Sequence, residues 1–245
     1  MYFYALCLAF LILGGETAKL PDQIAEHSET LLKQAQTGKK IRECTCDEQG
    51  ECIKEMKKQF EGCFDKCWPI VSKEGFKLVK NPEKTKECFQ NKRNFVDDML
   101  DCMQNDLNTC VKEKESKEIS YVDIGKFLEK GEKKLQDQAD LLFETVGDEG
   151  KEVIDIAFKV GHCMRTCFVE KNAGGYCYDK KGCQPLLETE ETGSSVKKCL
   201  KEVGWKKQAQ DVCKCTVKAG VEEADRWCAI IETLASSKNP VPTAD

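Results

Sequence analysis

Seventeen cysteines in a chain of 245 residues constrain its folding more than any other feature. Cys7 stands apart from the rest, inside an apolar run from Tyr2 to Leu13 that gives way to Gly14-Gly15-Glu16-Thr17-Ala18. An apolar stretch of about a dozen residues followed by small ones reads as a secretory signal, being too short to cross a hydrocarbon core of about 30 Å. Cleavage is expected between Gly14 and Ala18, which makes residues 1–18 a signal peptide and removes Cys7. Sixteen cysteines then remain. In an oxidising compartment an even number reads as a framework of up to eight disulfides.

The sixteen fall into two equal groups. Cys44, Cys46, Cys52, Cys63, Cys67, Cys88, Cys102 and Cys110 come first, and Cys163, Cys167, Cys177, Cys183, Cys199, Cys213, Cys215 and Cys228 follow after 52 residues without a cysteine. A C-x3-C at Cys63 and Cys67 recurs at Cys163 and Cys167, and a C-x13-C at Cys88 and Cys102 recurs at Cys199 and Cys213. The repetition predicts a duplication, with an insertion in the second copy around the glycine-flanked stretch Gly174 to Cys183. The expected organisation is a first cysteine-rich helical module over 19–115, a connecting helix over 116–147, a second module over 148–235 and a flexible tail over 236–245.

Apolar periodicity points to helix in nearly every segment. Ile53, Met56, Phe60, Phe64 and Trp68 follow the i, i+3, i+4 rule up to Pro69. Asn81-Pro82 reads as a cap followed by proline in the first turn, opening a helix that runs to Leu107. Ser120 with Asp123 predicts the start of a long amphipathic helix through Leu135 and Val146 to Gly147, and Asp148 starts another leading into the second C-x3-C. Val196 to Val203 and Val221 to Leu234 complete the set, with Leu20 to Gln36 as a weaker N-terminal helix. No window alternates at period two. The fold class expected is therefore all-α: two duplicated, disulfide-crosslinked helical hairpins joined by a long helix.

Helix geometry narrows the pairings. Cysteines at i and i+4 share a face about 6 Å apart, whereas Cys88 and Cys102 are separated by about 21 Å of helix axis. An antiparallel hairpin within the first module would bond Cys67 to Cys88, Cys52 to Cys102 and Cys46 to Cys110, leaving Cys44 and Cys63 for the N-terminal helix or the second module. The same logic pairs Cys167 with Cys199, and Cys228 with Cys213 or Cys215. Cys177 and Cys183 either close their own loop or reach Cys163.

Chemistry beyond crosslinking finds little support. Cys44-Thr45-Cys46 and Cys213-Lys214-Cys215 are close pairs, but C-x2-C is absent and the chain has 2 histidines, which disfavours zinc and redox sites. His162 beside Cys163 suggests a thiol–imidazole pair, but an exported cysteine there is expected to be oxidised. His27 reads as solvated. Asp97-Asp98 and Glu222-Glu223 point to wet helix faces rather than an acid–base couple, because adjacent helical residues diverge around the axis. Of 38 basic residues only Arg42, Arg93, Arg165 and Arg226 are arginine, and the net charge is -5, so nucleic acid is not an expected partner. No catalytic residue, cofactor or metal is assigned. The N-x-C match at Asn108 competes with a bridge at Cys110, and neither an N-x-S/T sequon nor a Ser-Gly dipeptide occurs.

The C-x3-C followed by C-x13-C in a lysine-rich helical chain resembles the secreted cysteine-rich proteins of nematodes, most of all those with a chondroitin proteoglycan 4 type domain, over Cys63 to Cys110 and Cys163 to Cys228. The resemblance implies an extracellular scaffold, although the missing Ser-Gly sites leave no place for attached chondroitin. Two functional classes follow. The first is a secreted, non-enzymatic structural or interaction protein with an unknown extracellular protein partner. The second is a carrier of small apolar ligands, similar to insect odorant-binding proteins, which share the C-x3-C. No membrane span is expected after signal cleavage, because no later stretch is long and apolar enough.

Overall fold

The computed structural model describes residues 20–229, apart from residues 76–77, 92, 115–116, 144–147, 188, 223 and 226–227. The expected signal peptide, the expected tail over 236–245 and the residues Glu223, Arg226 and Trp227 lie outside the described residues, as does most of the last expected helix.

The chain is mostly helical. Helix α1 (Leu20–Ala35) runs straight into strand β1 (Gln36–Glu43), and Thr45 then opens α2 (Cys46–Cys67) through a reciprocal capping box with Glu48. Pro69, which lacks an amide hydrogen, ends α2 and begins the short α3 (Pro69–Glu74). Asn81 caps α4 (Pro82–Gln90), its Oδ1 accepting from the Lys84 amide at 3.1 Å, and α5 (Arg93–Leu107) follows. The single helix expected from Asn81 to Leu107 is thus two, interrupted around Asn91. Strand β2 (Glu118–Val122), α6 (Ile124–Phe143), α7 (Asp148–Lys171), α8 (Cys177–Lys181), β3 (Cys183–Gln184), α9 (Thr189–Glu202) and α10 (Trp205–Lys218) complete the order.

The all-α expectation is corrected by the sheet, whose strand order is β2-β1-β3. β1 lies antiparallel to β2, with Ile41 opposite Ile119, and parallel to β3, with Arg42 opposite Cys183. The buried Gln184 side chain extends this pairing like a peptide unit. Its Oε1 accepts from the Val122 amide at 2.9 Å and its Nε2 donates to the Val122 carbonyl at 2.7 Å. Ser120 and Tyr121 are therefore strand residues, and Asp123 alone caps α6, its Oδ1 accepting from the Lys126 amide at 2.9 Å. The run Ile119 to Val122, rich in β-branched and aromatic residues, carried the strand signal in sequence.

Helices pack in antiparallel pairs. α2 lies against α7, α9 against both α1 and α5, and α4 against α10. α6 packs on α1 and α7, so it does more than connect. One core cluster joins Phe95 and Met99 of α5, Leu135 of α6, Leu200 of α9 and Val212 of α10, and another joins Phe64 of α2 and Trp68 just after it to Ile156 and Met164 of α7. At Gly193 α9 lies against Glu29 of α1, whose carboxylate an added Cβ would overlap. Among the side chains that are described, every Val, Ile, Leu, Met, Phe, Trp and Tyr is buried or half-buried.

Gly220, at the turn after α10, has φ of 101° and a Cβ placed there would stand 2.9 Å from Lys80 Cβ. Both the backbone and the space require glycine. The substitution Gly220→Ala should cost about 1–3 kcal/mol in urea unfolding, while Gly50→Ala, in open helical space, should not destabilise.

Candidate functional site

The feature with the most chemistry in this molecule is its disulfide framework, and its geometry starts at the C-x3-C motifs. In α2, Cys63 and Cys67 sit one turn apart on one face, and in α7 Cys163 and Cys167 do the same. Antiparallel packing then bonds them reciprocally, Cys63 to Cys167 and Cys67 to Cys163, with Cα separations of 5.7 and 5.8 Å. Phe60 of α2 stacks on Phe168 of α7 at 4.2 Å between ring centroids. One turn further, Gln59 and Asn172 exchange side-chain hydrogen bonds, with Asn172 Nδ2 2.8 Å from Gln59 Oε1. The ladder continues through Cys52–Cys177 to Cys44–Cys183, the partner number falling as the first rises.

A second antiparallel ladder bonds Cys102 of α5 to Cys199 of α9, and Cys88 of α4 to Cys215 of α10. Cys46–Cys110 and Cys213–Cys228 close shorter loops. Six of the eight bridges therefore join the first cysteine group to the second. The expected rungs Cys67–Cys88 and Cys52–Cys102 are corrected, as is Cys167–Cys199, and Cys177 and Cys183 do not close their own loop. The antiparallel rule itself holds, but the helix facing α2 is α7 rather than the next helix in sequence. Cys46–Cys110 and Cys213–Cys228 do occur as pairs, and Cys44 and Cys63 do reach the second group.

The close pairs are divided by this pattern, since neighbours such as Cys44 and Cys46 go to different partners. The Cys44 and Cys183 sulfurs lie with a Glu48 oxygen within 4.8 Å of one another. Bonded sulfurs carry no thiolate for a metal, and Glu48 is already engaged. Arg42 grips its carboxylate in bidentate fashion at 2.9 and 3.0 Å while also donating to the Glu43 and Lys181 carbonyls. Arg42 thereby ties β1, the start of α2 and the end of α8 around the Cys44–Cys183 bridge. Glu43, buried beside it, has Lys117 at 3.6 Å. Nearby, Gln49 donates to Thr109 across a buried 2.7 Å hydrogen bond. Sequence reasoning missed Arg42 and Glu48, although Thr45-x-x-Glu48 is a visible capping-box pattern.

The remaining candidates are spread over the surface. His162 Nδ1 lies 2.8 Å from Glu132 Oε1 on α6, and its neighbour Cys163 is bonded to Cys67, so no thiol–imidazole pair forms. Arg165 pairs with the same carboxylate. His27, expected to be solvated, is half-buried; burial first, then Lys134, pushes its imidazole below the usual range. Asp97 pairs with Lys57, Glu222 pairs with Lys80 and Asp98 is exposed. Asn108 adopts φ of 46° and Cys110, two residues on, is bridged. Tyr121 donates to Asp179 Oδ1 at 2.9 Å, and burial pushes the Tyr178 phenol up to about 12. Among the described residues no helix is long and apolar enough to cross a membrane. Comparison with family models, curated proteins and solved structures finds no match.

Lys66 and Arg165 lie between the paired cysteines, so tryptic mapping of the unreduced protein resolves the two central bridges. It should return Cys63 linked to Cys167 and Cys67 linked to Cys163; a Cys63–Cys163 link contradicts the antiparallel register. The Arg42 hydrogen bonds are the main reason that the Glu48 carboxyl is held down to about 2 from its ordinary 4.5. A carboxylate with a depressed folded-state value stabilises above its unfolded value and loses that stabilisation as pH falls. Stability should therefore decline from pH 4.5 toward 2 through this group. Glu48→Gln should cost about 2 kcal/mol at neutral pH and flatten that acid limb in chemical denaturation.

Proposed function

We propose that this protein is exported and acts as a non-enzymatic, disulfide-rich structural or interaction protein outside the cell. The observation that carries the reading is the set of six bridges binding one cysteine group to the other. Stable disulfides at this density belong to oxidising compartments, and six crosslinks join the two groups covalently. Among the side chains that are described no large apolar one is exposed, which suits a protein bathed in water.

The duplication belongs to the same reading. Two copies related by a twofold axis make an isologous contact, in which residue i of one meets j of the other and j meets i. Cys63–Cys167 with Cys67–Cys163 follows that rule between the two C-x3-C motifs. Cys102–Cys199 with Cys88–Cys215 follows it between the C-x13-C motifs, apart from Cys215 standing where Cys213 is the counterpart. In this view the chain is a fused pair of helical units facing each other. The resemblance to the chondroitin proteoglycan 4 type domain then concerns the protein scaffold and not an attached polysaccharide.

Native mass spectrometry of the protein recovered from the medium of an expressing eukaryotic culture tests the proposal. The expected species begins between residues 15 and 19, gains sixteen hydrogens on reduction of its eight bridges and carries no further mass. Retention inside the cell with Met1 in place overturns export, and a bound lipid mass favours the carrier class instead.

A further inference from the structure

The eight bridges differ in how far they face water. Seven have at least one buried cysteine, whereas neither member of Cys46–Cys110 is buried. Cys110 is half-buried, and Cys46 is the one exposed cysteine among the sixteen that are bonded.

Its place in the fold sets Cys46 apart as well. It is the first residue of α2, a helix of 22 residues capped by Thr45. Aligned peptide dipoles put about half a positive charge at that end, which draws in an anion and favours a thiolate over a thiol. Glu48 in the same turn has its charge matched by Arg42 and by Lys114 at 3.4 Å, and Asp47 projects about 100° further round the helix axis. The half-buried cysteines elsewhere lack this setting. Cys163 and Cys215 lie inside α7 and α10, and Cys102 Sγ stands 3.3 Å from the Glu202 carboxylate, which repels a thiolate.

Other contacts hold the two bridged segments together. The Cys46 amide donates to the Val111 carbonyl and the Val111 amide to the Cys44 carbonyl, each at 3.0 Å. Gln49 donates to the buried Thr109 hydroxyl at 2.7 Å, and Cys44 is itself bonded to Cys183. With the Cys46–Cys110 bond open, these contacts keep the two sulfurs side by side and ready to reclose.

We infer that Cys46–Cys110 is a thiol–disulfide exchange site, where a low-molecular-weight thiol adds to Cys46 and Cys110 is the resolving thiol. An incoming thiolate bonds to Cys46 Sγ, the Cys46–Cys110 bond breaks, and its electron pair leaves as a thiolate on Cys110. The bridge is the oxidant and the incoming thiol the reductant, so no further reactant is needed. Return attack by the Cys110 thiolate on Cys46 Sγ expels the added thiol and recloses the bridge. The inference rests on the disulfide pairing and the setting of Cys46, not on the functional reading above, so either can fail alone.

Incubation of the folded, oxidised protein with reduced glutathione, trapping with N-ethylmaleimide and peptide mapping without further reduction test it. The first product should carry one glutathione on Cys46 and one maleimide on Cys110, keep the other seven bridges closed and retain its helical circular dichroism. The double variant Cys46→Ser, Cys110→Ser should fold, since other contacts hold the two segments, and take up glutathione about tenfold more slowly. First addition at any other cysteine, glutathione on Cys110 with maleimide on Cys46, or helicity lost with the first opening overturns the inference. So does a folded double variant that takes up glutathione as fast as the natural chain.

Discussion

The reciprocal bonding of two i, i+4 cysteine pairs, Cys63 with Cys167 and Cys67 with Cys163, is the constraint on which the rest of the molecule depends. One disulfide between two helices leaves them free to rotate about it. Two, a turn apart on both partners, fix direction and register together. With α2 and α7 antiparallel in that register, the Phe60–Phe168 stack and the Gln59–Asn172 amide pair fall into place. The chain beyond each helix is then carried to where Cys52 meets Cys177 and Cys44 meets Cys183. The small sheet sits at that end, with β3 and α8 held by Arg42 through Glu48 and the Lys181 carbonyl.

The bridges also account for how a lysine-rich chain holds together around modest apolar clusters. The six that join the two groups close sequence separations from 96 to 139 residues. In the chain-entropy view a loop of about 100 residues contributes about 4.7 kcal/mol when it alone is closed. Later bridges contribute less, because the first has already shortened the effective loops. Surface ion pairs such as Lys66–Glu170 are each worth at most about 1 kcal/mol. The crosslinks therefore outweigh them, and Arg42–Glu48, half-covered and bidentate, is the exception that does local work at the sheet.

Much of the secondary structure was legible from residue patterns. The stop at Pro69, the Asn81 cap and the Asp123 cap all lie where local chemistry places them. The sheet was not, because β1 is a polar run in which Ile41 is the one large apolar residue, its partner β2 lies far away in the chain, and Gln184 completes the pairing through its side chain. The C-x3-C pairs were recognised as one-faced, yet their partners were misassigned. A stripe of two cysteines fits any antiparallel helix carrying a matching stripe, and the second group supplies the better match.

Taken alone, the sequence determined that the chain would be helical and that its cysteines would sit in turn-spaced pairs on helix faces. It also showed two similar groups of cysteines. These are properties of spacing and capping within about a dozen residues, so they need no knowledge of distant contacts. Which group would bond to which was decided only in three dimensions, where α2 meets α7 and α9 meets α5. Disulfide choice depends on Cα separations near 5 to 6 Å between segments about a hundred residues apart, a distance that only tertiary packing sets.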